Sequence, residues 1–279
     1  MTEIETFFTE KQLSENNNKC KRKKKSVIAV LIGFEYTYGE NTTMIPCIKT
    51  DLENIIKFVS SFVDKIAIFS DINVKDSFSD YITNVHNGYE LMKELSDIEF
   101  YDRIIFYFSG HGVADCILTP DEKAIDVRLL LNLLIKDASS QVFAIMDCCH
   151  ASSMRLCYKL NNCKLILRDR RLTVPIANEI ILITGTNEDK NEKAISSKTG
   201  SVFTNNLCLL FSHKGFCRDF TTIIRNINKM VFEERNGYIQ TTSIYTSKVM
   251  EQVVWSWIGN KYDLVYDDKL NCLRYVNYE

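Results

Sequence analysis

Short apolar runs that alternate with segments of helical periodicity constrain this chain more than any other feature. SVIAVLIG (26–33), KIAIFS (65–70), RIIFYFS (103–109), QVFAIMD (141–147) and EIILITG (179–185) are rich in β-branched and aromatic residues. Such near-continuous apolarity marks strands buried on both faces, the habit of parallel sheets covered by helices. Between them, TDLENIIKFVSSF (50–62) sets Leu52, Ile55, Ile56, Val59 and Phe62 at helical spacing, with Thr50 or Asp51 as its cap. GYELMKELSD (88–97) and DVRLLLNLLIK (126–136) repeat the pattern. Residues 200–212 and 218–235 read as further helices, and 240–250 as a last strand. The fold predicted is α/β, a mostly parallel central sheet with helices on both faces.

Residues 1–25 read as a flexible leader ending in a basic run, 26–250 as the folded domain, and 251–279 as a C-terminal extension packed on or trailing it. The stretch 151–178 breaks the alternation, carries many Lys, Arg and Asn residues, and reads as a long basic loop. Ten cysteines would suit a disulfide scaffold or a zinc ribbon only at regular spacing, and here no CxxC pair occurs. The acidic start MTEIETFFTE lacks the basic region and apolar run of a signal peptide, and no apolar stretch reaches the ~20 residues of a membrane span. A reduced, cytoplasmic protein without a membrane partner is expected, so the N-x-T at Asn41 is a chance sequon. The formal net charge of −2 supplies no general attraction to nucleic acid, and none is expected as a partner.

Reacting groups in open α/β sheets gather beyond the carboxyl ends of the strands. Two predicted strand ends carry unusual residues: Ser109-Gly110-His111-Gly112 and Asp147-Cys148-Cys149-His150. Thiol-based acyl transfer needs a cysteine, an imidazole to take its proton, and N–H donors for the oxyanion. Cys149 as nucleophile, His111 as base, and the amides of Gly112 and Cys149 as donors would supply all three. A metal clamp made of Cys148, Cys149 and His150 is disfavoured, because neighbours on an extended strand point to opposite faces. A vicinal disulfide would be strained. Cys148 is left to packing, and His150 to packing or a hydrogen bond.

FYFSGHG (106–112) followed by AIMDCCHAS (144–152) resembles the metacaspases, caspase-like cysteine peptidases with the signatures YSGHG and D-x-C-H-S-G. LIGFEY (31–36), DLENIIKFV (51–59), ITGTNEDKNEKAI (183–195), GSVFTNNLCLLF (200–211) and GYIQTTSIYTS (237–247) resemble further family segments in family order. The resemblance implies a caspase-like sandwich and an endopeptidase that works through a His111–Cys149 dyad and a thioester. It also implies that Asp51, Ser109 and Asp147 line the primary specificity pocket. Carboxylates in a partly desolvated pocket imply cleavage after Arg or Lys, hence protein or peptide substrates with basic residues; a monomer is expected. The caspase pattern QACxG is absent.

Three departures qualify the resemblance. Ala151-Ser152 stands where Ser-Gly is usual, and His111 and Cys149 are only 38 positions apart, short for the family. Asp121 and Asp126 correspond to two of the aspartates through which many metacaspases bind calcium. Calcium takes about 6–8 oxygen ligands, so calcium activation is poorly supported. Arg155, Lys159, Lys164, Arg168, Arg170 and Arg171 make 154–173 a candidate self-cleavage segment, as is the basic run 19–25. The rival readings are a caspase-fold scaffold that binds without cleaving, and a separase-like or CHAT-type peptidase of other specificity.

Overall fold

Val27–Gly33 (β1) is buried along its whole length. Its alternation divides the side chains between two cores, with Ile28, Val30 and Ile32 on one face and Val27, Ala29 and Leu31 on the other. A strand apolar on both faces belongs at the centre of a covered sheet. The computed structural model places it there, and describes residues 25–37, 39, 41–61, 63–72, 82–113, 115–151, 154–161, 164–174, 176–187, 192, 194, 196–197, 199–212, 225–229, 240–248, 262–267 and 272–277.

After β1 come α1 (Ile48–Val59), β2 (Lys65–Ser70), β3 (Ile82–Asn84), α2 (Gly88–Ser96) and β4 (Arg103–Ser109). A small meander follows, β5 (Gly112–Val113), β6 (Cys116–Leu118) and β7 (Ala124–Asp126), then α3 (Val127–Leu134) and β8 (Gln141–Asp147). Next are β9 (Tyr158–Asn161), β10 (Lys164–Leu167), a 3-10 turn (Arg170–Leu172) and β11 (Glu179–Thr184). The chain ends with β12 (Ser196–Ser197), β13 (Gly200–Ser201), α4 (Val202–Ser212), β14 (Ser243–Thr246), β15 (Tyr262–Asp267) and β16 (Cys272–Asn277).

Nine strands form one sheet in the order β10-β9-β14-β11-β8-β4-β1-β2-β3. The run from β11 to β3 is parallel throughout, while β14, β9 and β10 are added antiparallel. Leu91 and Leu95 of α2 and Leu130, Leu131 and Leu134 of α3 fill one core. Leu52, Ile55 and Val59 of α1 and Phe203 and Leu207 of α4 fill the other. The expected α/β sheet covered on both faces is the fold observed.

Two local expectations need correction. The helix read as starting at Thr50 or Asp51 begins at Ile48, and Cys47 occupies the N-cap without a side-chain bond. Asp51 is in the first turn, and its carboxylate is used elsewhere. Residues 151–178 are not a structureless loop: β9 and β10 form a hairpin that pairs with β14 and extends the sheet. Ala151, Met154 and Leu156 are buried in the core, which anchors the start of that segment. The leader 1–24, Cys163, and all of the helix 218–235 except 225–229 lie outside the described residues; 225–229 is helical.

Candidate active site

Ser109 is paired with Asp147 across the parallel strands β4 and β8. Each chain then runs two residues further, to His111 and to Cys149. Because parallel neighbours are about 4.8 Å apart, equal overshoot sets the two turns side by side. The Gly110 N–H donates to the Asp147 carbonyl at 3.3 Å, which holds them together past the last ladder bond. A Cβ on Gly112 would collide with the Cys149 carbonyl oxygen and come within 2.7 Å of Cys148 Sγ. Glycine is what lets the backbone after His111 close on the cysteine turn.

The two cysteines have different surroundings. Cys148 is buried in the apolar core, and that burial, with the adjacent Asp147 charge, pushes its thiol well above the ordinary value. A thiol held protonated is a poor nucleophile. Cys149 is half-buried, and its Sγ accepts from the Ala194 N–H at 3.4 Å. Next to it His150 adopts φ 50°, a left-handed bend in the turn that follows β8. Thr186, two residues past the end of β11, ties this turn down. Its hydroxyl donates to the Cys148 carbonyl at 3.0 Å and accepts from the Ala151 N–H at 3.0 Å. Ala151 itself is packed in the core, so the small residue that departs from the family pattern is accommodated by burial.

His111 is held from two sides. Its backbone N–H donates to the Tyr36 hydroxyl at 2.8 Å, and that hydroxyl donates to the Leu118 carbonyl at 2.8 Å. The Tyr36 ring lies 4.7 Å from the imidazole, centroid to centroid. Tyr36 is buried at φ 59°, costly for a bulky residue. Asp71 secures that conformation by accepting from the Glu35 and Tyr36 N–H groups, each at 2.7 Å. On the ring side, His111 Nε2 is 2.6 Å from the Thr43 carbonyl oxygen. A carbonyl only accepts, so Nε2 carries a hydrogen, and of the two neutral tautomers the contact selects the one whose lone pair is on Nδ1.

Asp51, Ser109 and Asp147, the three expected pocket residues, are all buried. The Ser109 hydroxyl donates to Asp51 Oδ2 at 3.0 Å, and the Ser201 N–H to Asp51 Oδ1 at 2.6 Å. The Thr204 hydroxyl donates to Asp147 Oδ2 at 2.6 Å, which leaves Tyr107 to donate to Thr204 at 2.9 Å. Asp147 Oδ1 and Ser201 Oγ are buried and complete no hydrogen bond of ordinary geometry, although the Ser201 hydroxyl lies near enough to offset part of what burial does to the Asp147 carboxyl. Gly200, at φ 115°, leaves Asp51 Oδ1 the space that a Cβ would occupy 2.7 Å away. Burial, reinforced by the neighbouring Asp147 charge, raises the Asp51 carboxyl to about 7. Burial raises Asp147 as well, and Cys47, whose Sγ is 3.8 Å from Asp51 Oδ2, is pushed up to about 12 by burial and by these two carboxylates.

Among the described residues no Lys or Arg forms an ion pair with either aspartate. Two buried carboxyl groups side by side, with no cation between them, each disfavour ionisation of the other.

Asp121 and Asp126 do not fit a calcium site. Asp121 accepts from Thr119 and pairs with Lys123 at 3.1 Å, while Asp126 caps α3 and pairs with Arg128 at 2.9 Å. No group of three or more His, Cys, Asp or Glu side chains is arranged to hold a metal among the described residues.

Sequence reasoning missed Tyr36, Thr43 and Thr186, whose roles depend on contacts distant along the chain. It also missed Ser201 and Thr204, although GSVFT was noticed as a motif. In the loop 154–173, Lys159 donates to Asn187 at 2.8 Å and Arg168 to the Leu156 carbonyl at 3.0 Å, whereas Arg170 and Arg171 are exposed in the 3-10 turn. No helix among the described residues is long and apolar enough to cross a membrane.

The sequence matches no curated protein. In structure the chain is similar to the crystal structure of protein GSU0716 from Geobacter sulfurreducens, with a TM-score of 0.55 and 14% identity. That likeness of fold covers 81% of this chain and 95% of the other. A family model described as the caspase domain matches residues 18–254. With this match over most of its length, the chain belongs to the caspase-domain family of cysteine peptidases.

Proposed function

We propose that the protein is a cysteine endopeptidase of metacaspase type that cleaves after Arg or Lys. The observation that carries this reading is the buried Asp51–Asp147 pair, without a basic partner, directly below the strand ends that bear His111 and Cys149. A guanidinium or ammonium in that pocket gains charge-assisted hydrogen bonds in a desolvated setting. Asp147 Oδ1, which completes no hydrogen bond of ordinary geometry, offers the first of them.

In the mechanism, His111 Nδ1 takes the Cys149 proton and the thiolate attacks the carbonyl carbon after the basic residue. The amides of Gly112 and Cys149 receive the oxyanion. As the tetrahedral species collapses, the C–N bond breaks and the imidazolium proton passes to the leaving amine. Water then attacks the thioester with His111 again as base, and the acid product and the thiol are regenerated. Thr43 keeps the ring in the tautomer that this proton traffic requires. Self-cleavage is assigned to the exposed Arg170, because Lys159 and Arg168 are engaged by the fold and Arg171 is paired with Asp169 at 2.6 Å.

A panel of fluorogenic peptides with different residues before the scissile bond tests this. Turnover confined to Arg and Lys, and lost in Cys149→Ala, is expected. Turnover after other residues would instead favour a related peptidase of different specificity. A folded protein that neither cleaves the panel nor is labelled by an Arg-containing covalent inhibitor would favour the scaffold.

A further inference from the structure

The loop that holds the imidazole has its own anchor. Residues 41–45 lie in no helix or strand. Ile45 fixes the far side by packing on the core and donating its N–H to the Glu35 carbonyl at 3.0 Å, but Thr43 and Met44 are exposed and the near side has little packing of its own. Glu122 supplies what packing does not. It sits in the turn between β6 and β7, itself at φ 61° with its N–H donating to the Thr119 carbonyl at 2.8 Å. Thr119 is fully buried, so this turn is well founded. From it the carboxylate reaches across to the loop. Oε1 accepts from the Asn41 N–H at 2.7 Å, the Thr42 N–H at 2.9 Å and the Thr42 hydroxyl at 2.8 Å. Oε2 accepts from Asn41 Nδ2 at 3.0 Å. Those donors hold its carboxyl down at about 2.

Four hydrogen bonds on one carboxylate fix the two residues immediately before Thr43. The carbonyl of Thr43 then fixes the ring of His111 at 2.6 Å. We propose that Glu122 is a positioning residue for His111: it locks the 41–42 backbone so that the Thr43 carbonyl sets the tautomer and orientation of the imidazole. Glu122 does not touch the reacting atoms. The inference rests on the Cys149–His111 reading for its kinetic consequence, but the geometric claim stands apart from that reading. A misdirected catalytic group costs rate rather than substrate affinity, and the pocket carboxylates on α1 and β8 lie outside this chain of contacts.

The test is made on the full-length chain with Glu122→Ala and Glu122→Gln. In a Cys149→Ala background with ¹⁵N-labelled histidine, the His111 ring nitrogens are identified by their loss in His111→Gln. Glu122→Ala should move the His111 signals toward tautomer exchange. Glu122→Gln retains a carbonyl oxygen for the Asn41 and Thr42 donors and should leave them near the parent position. With Cys149 restored, Glu122→Ala should lose roughly tenfold to a hundredfold in kcat on an Arg reporter at nearly unchanged KM, with rescue by Glu122→Gln. Thr42→Val, which removes one of the four donors, should show a smaller loss of the same kind. Unmoved His111 signals in Glu122→Ala would overturn the proposal, whatever the rate does. So would a Gln variant as impaired as the Ala variant, or a defect confined to KM. If the parent protein cleaves nothing while the His111 signals still respond to Glu122→Ala, the peptidase reading fails and the positioning role survives.

Discussion

The Ser109 hydroxyl donates to Asp51 Oδ2 over 3.0 Å, joining the end of β4 to the first turn of α1. Through this bond the carboxyl of a helix is fixed against the end of a strand. It faces Asp147 closely enough for each to oppose ionisation of the other.

That opposition predicts a pH dependence. Asp51 titrates near 7 in the folded chain and near 3.8 in an ordinary setting. Between these values the folded form holds a proton that the unfolded form has released. Stability of the empty protein should therefore fall as pH rises from about 4 to about 7. An entering Arg or Lys expels that proton, so KM for an Arg reporter should fall as pH rises through 7. Asp51→Asn should flatten both profiles and raise KM by roughly tenfold or more, the scale of one charge-assisted bond. Steady-state kinetics and thermal melts over the same pH series check both.

The cysteine pair makes a sharper case. Cys149→Ala and His111→Ala should abolish turnover of the reporter and leave the melting temperature almost unchanged. Cys148→Ala should do the reverse, keeping most activity while losing about 1–2 kcal/mol of stability from a small cavity in the core. Activity that follows Cys148 rather than Cys149 in these assays would refute the assignment.

Tyr36→Phe keeps the ring beside His111 but removes the hydroxyl that serves the His111 N–H and the Leu118 carbonyl. The orphaned backbone groups should cost about 1–3 kcal/mol. Urea denaturation gives that figure, and kcat should drop while KM for the Arg reporter stays put.

Thr186→Val exchanges a hydroxyl for a methyl at a buried site of the same shape. The Ala151 N–H and the Cys148 carbonyl lose their common partner, and the turn carrying Cys149 loosens. Alkylation of Cys149 by iodoacetamide should slow, and stability should fall by about 1–3 kcal/mol. A variant alkylated at the parent rate would show that the turn is held by other means.

Calcium offers a simple control. With Asp121 committed to Thr119 and Lys123, and Asp126 to the α3 cap and Arg128, reporter turnover is expected to be the same in calcium and in chelator.

The parallel half of the sheet was legible because its strands are apolar on both faces, a pattern that β1, β4, β8 and β11 share and little else imitates. Their ends could be read as well, since glycine-flanked His111 and the doublet Cys148-Cys149 have no place in strand packing. The β9–β10 hairpin was not legible. Its strands are four residues long, and YKLN and KLIL mix lysine with apolar residues as many loops do. What makes them strands is the free edge of β14, a non-local cause. Thr43 was invisible for a different reason: it acts through its carbonyl, which every residue possesses. Glu122 looked like one surface carboxylate among many.

The pairing of Ser109 with Asp147 also bears on how such a chain can change. Everything between His111 and Cys149 leaves from one anchored point and returns to its neighbour, so its length has no leverage on where the two side chains meet. The 38-residue spacing that seemed short is therefore harmless. Segments of that excursion that touch neither His111 nor the 41–43 loop could be lengthened or shortened, whereas the β6–β7 region that carries Leu118 and Glu122 is tied to the placement of His111. A single residue inserted within β4 or β8 would be another matter, because it would swing His111 or Cys149 to the far side of the sheet.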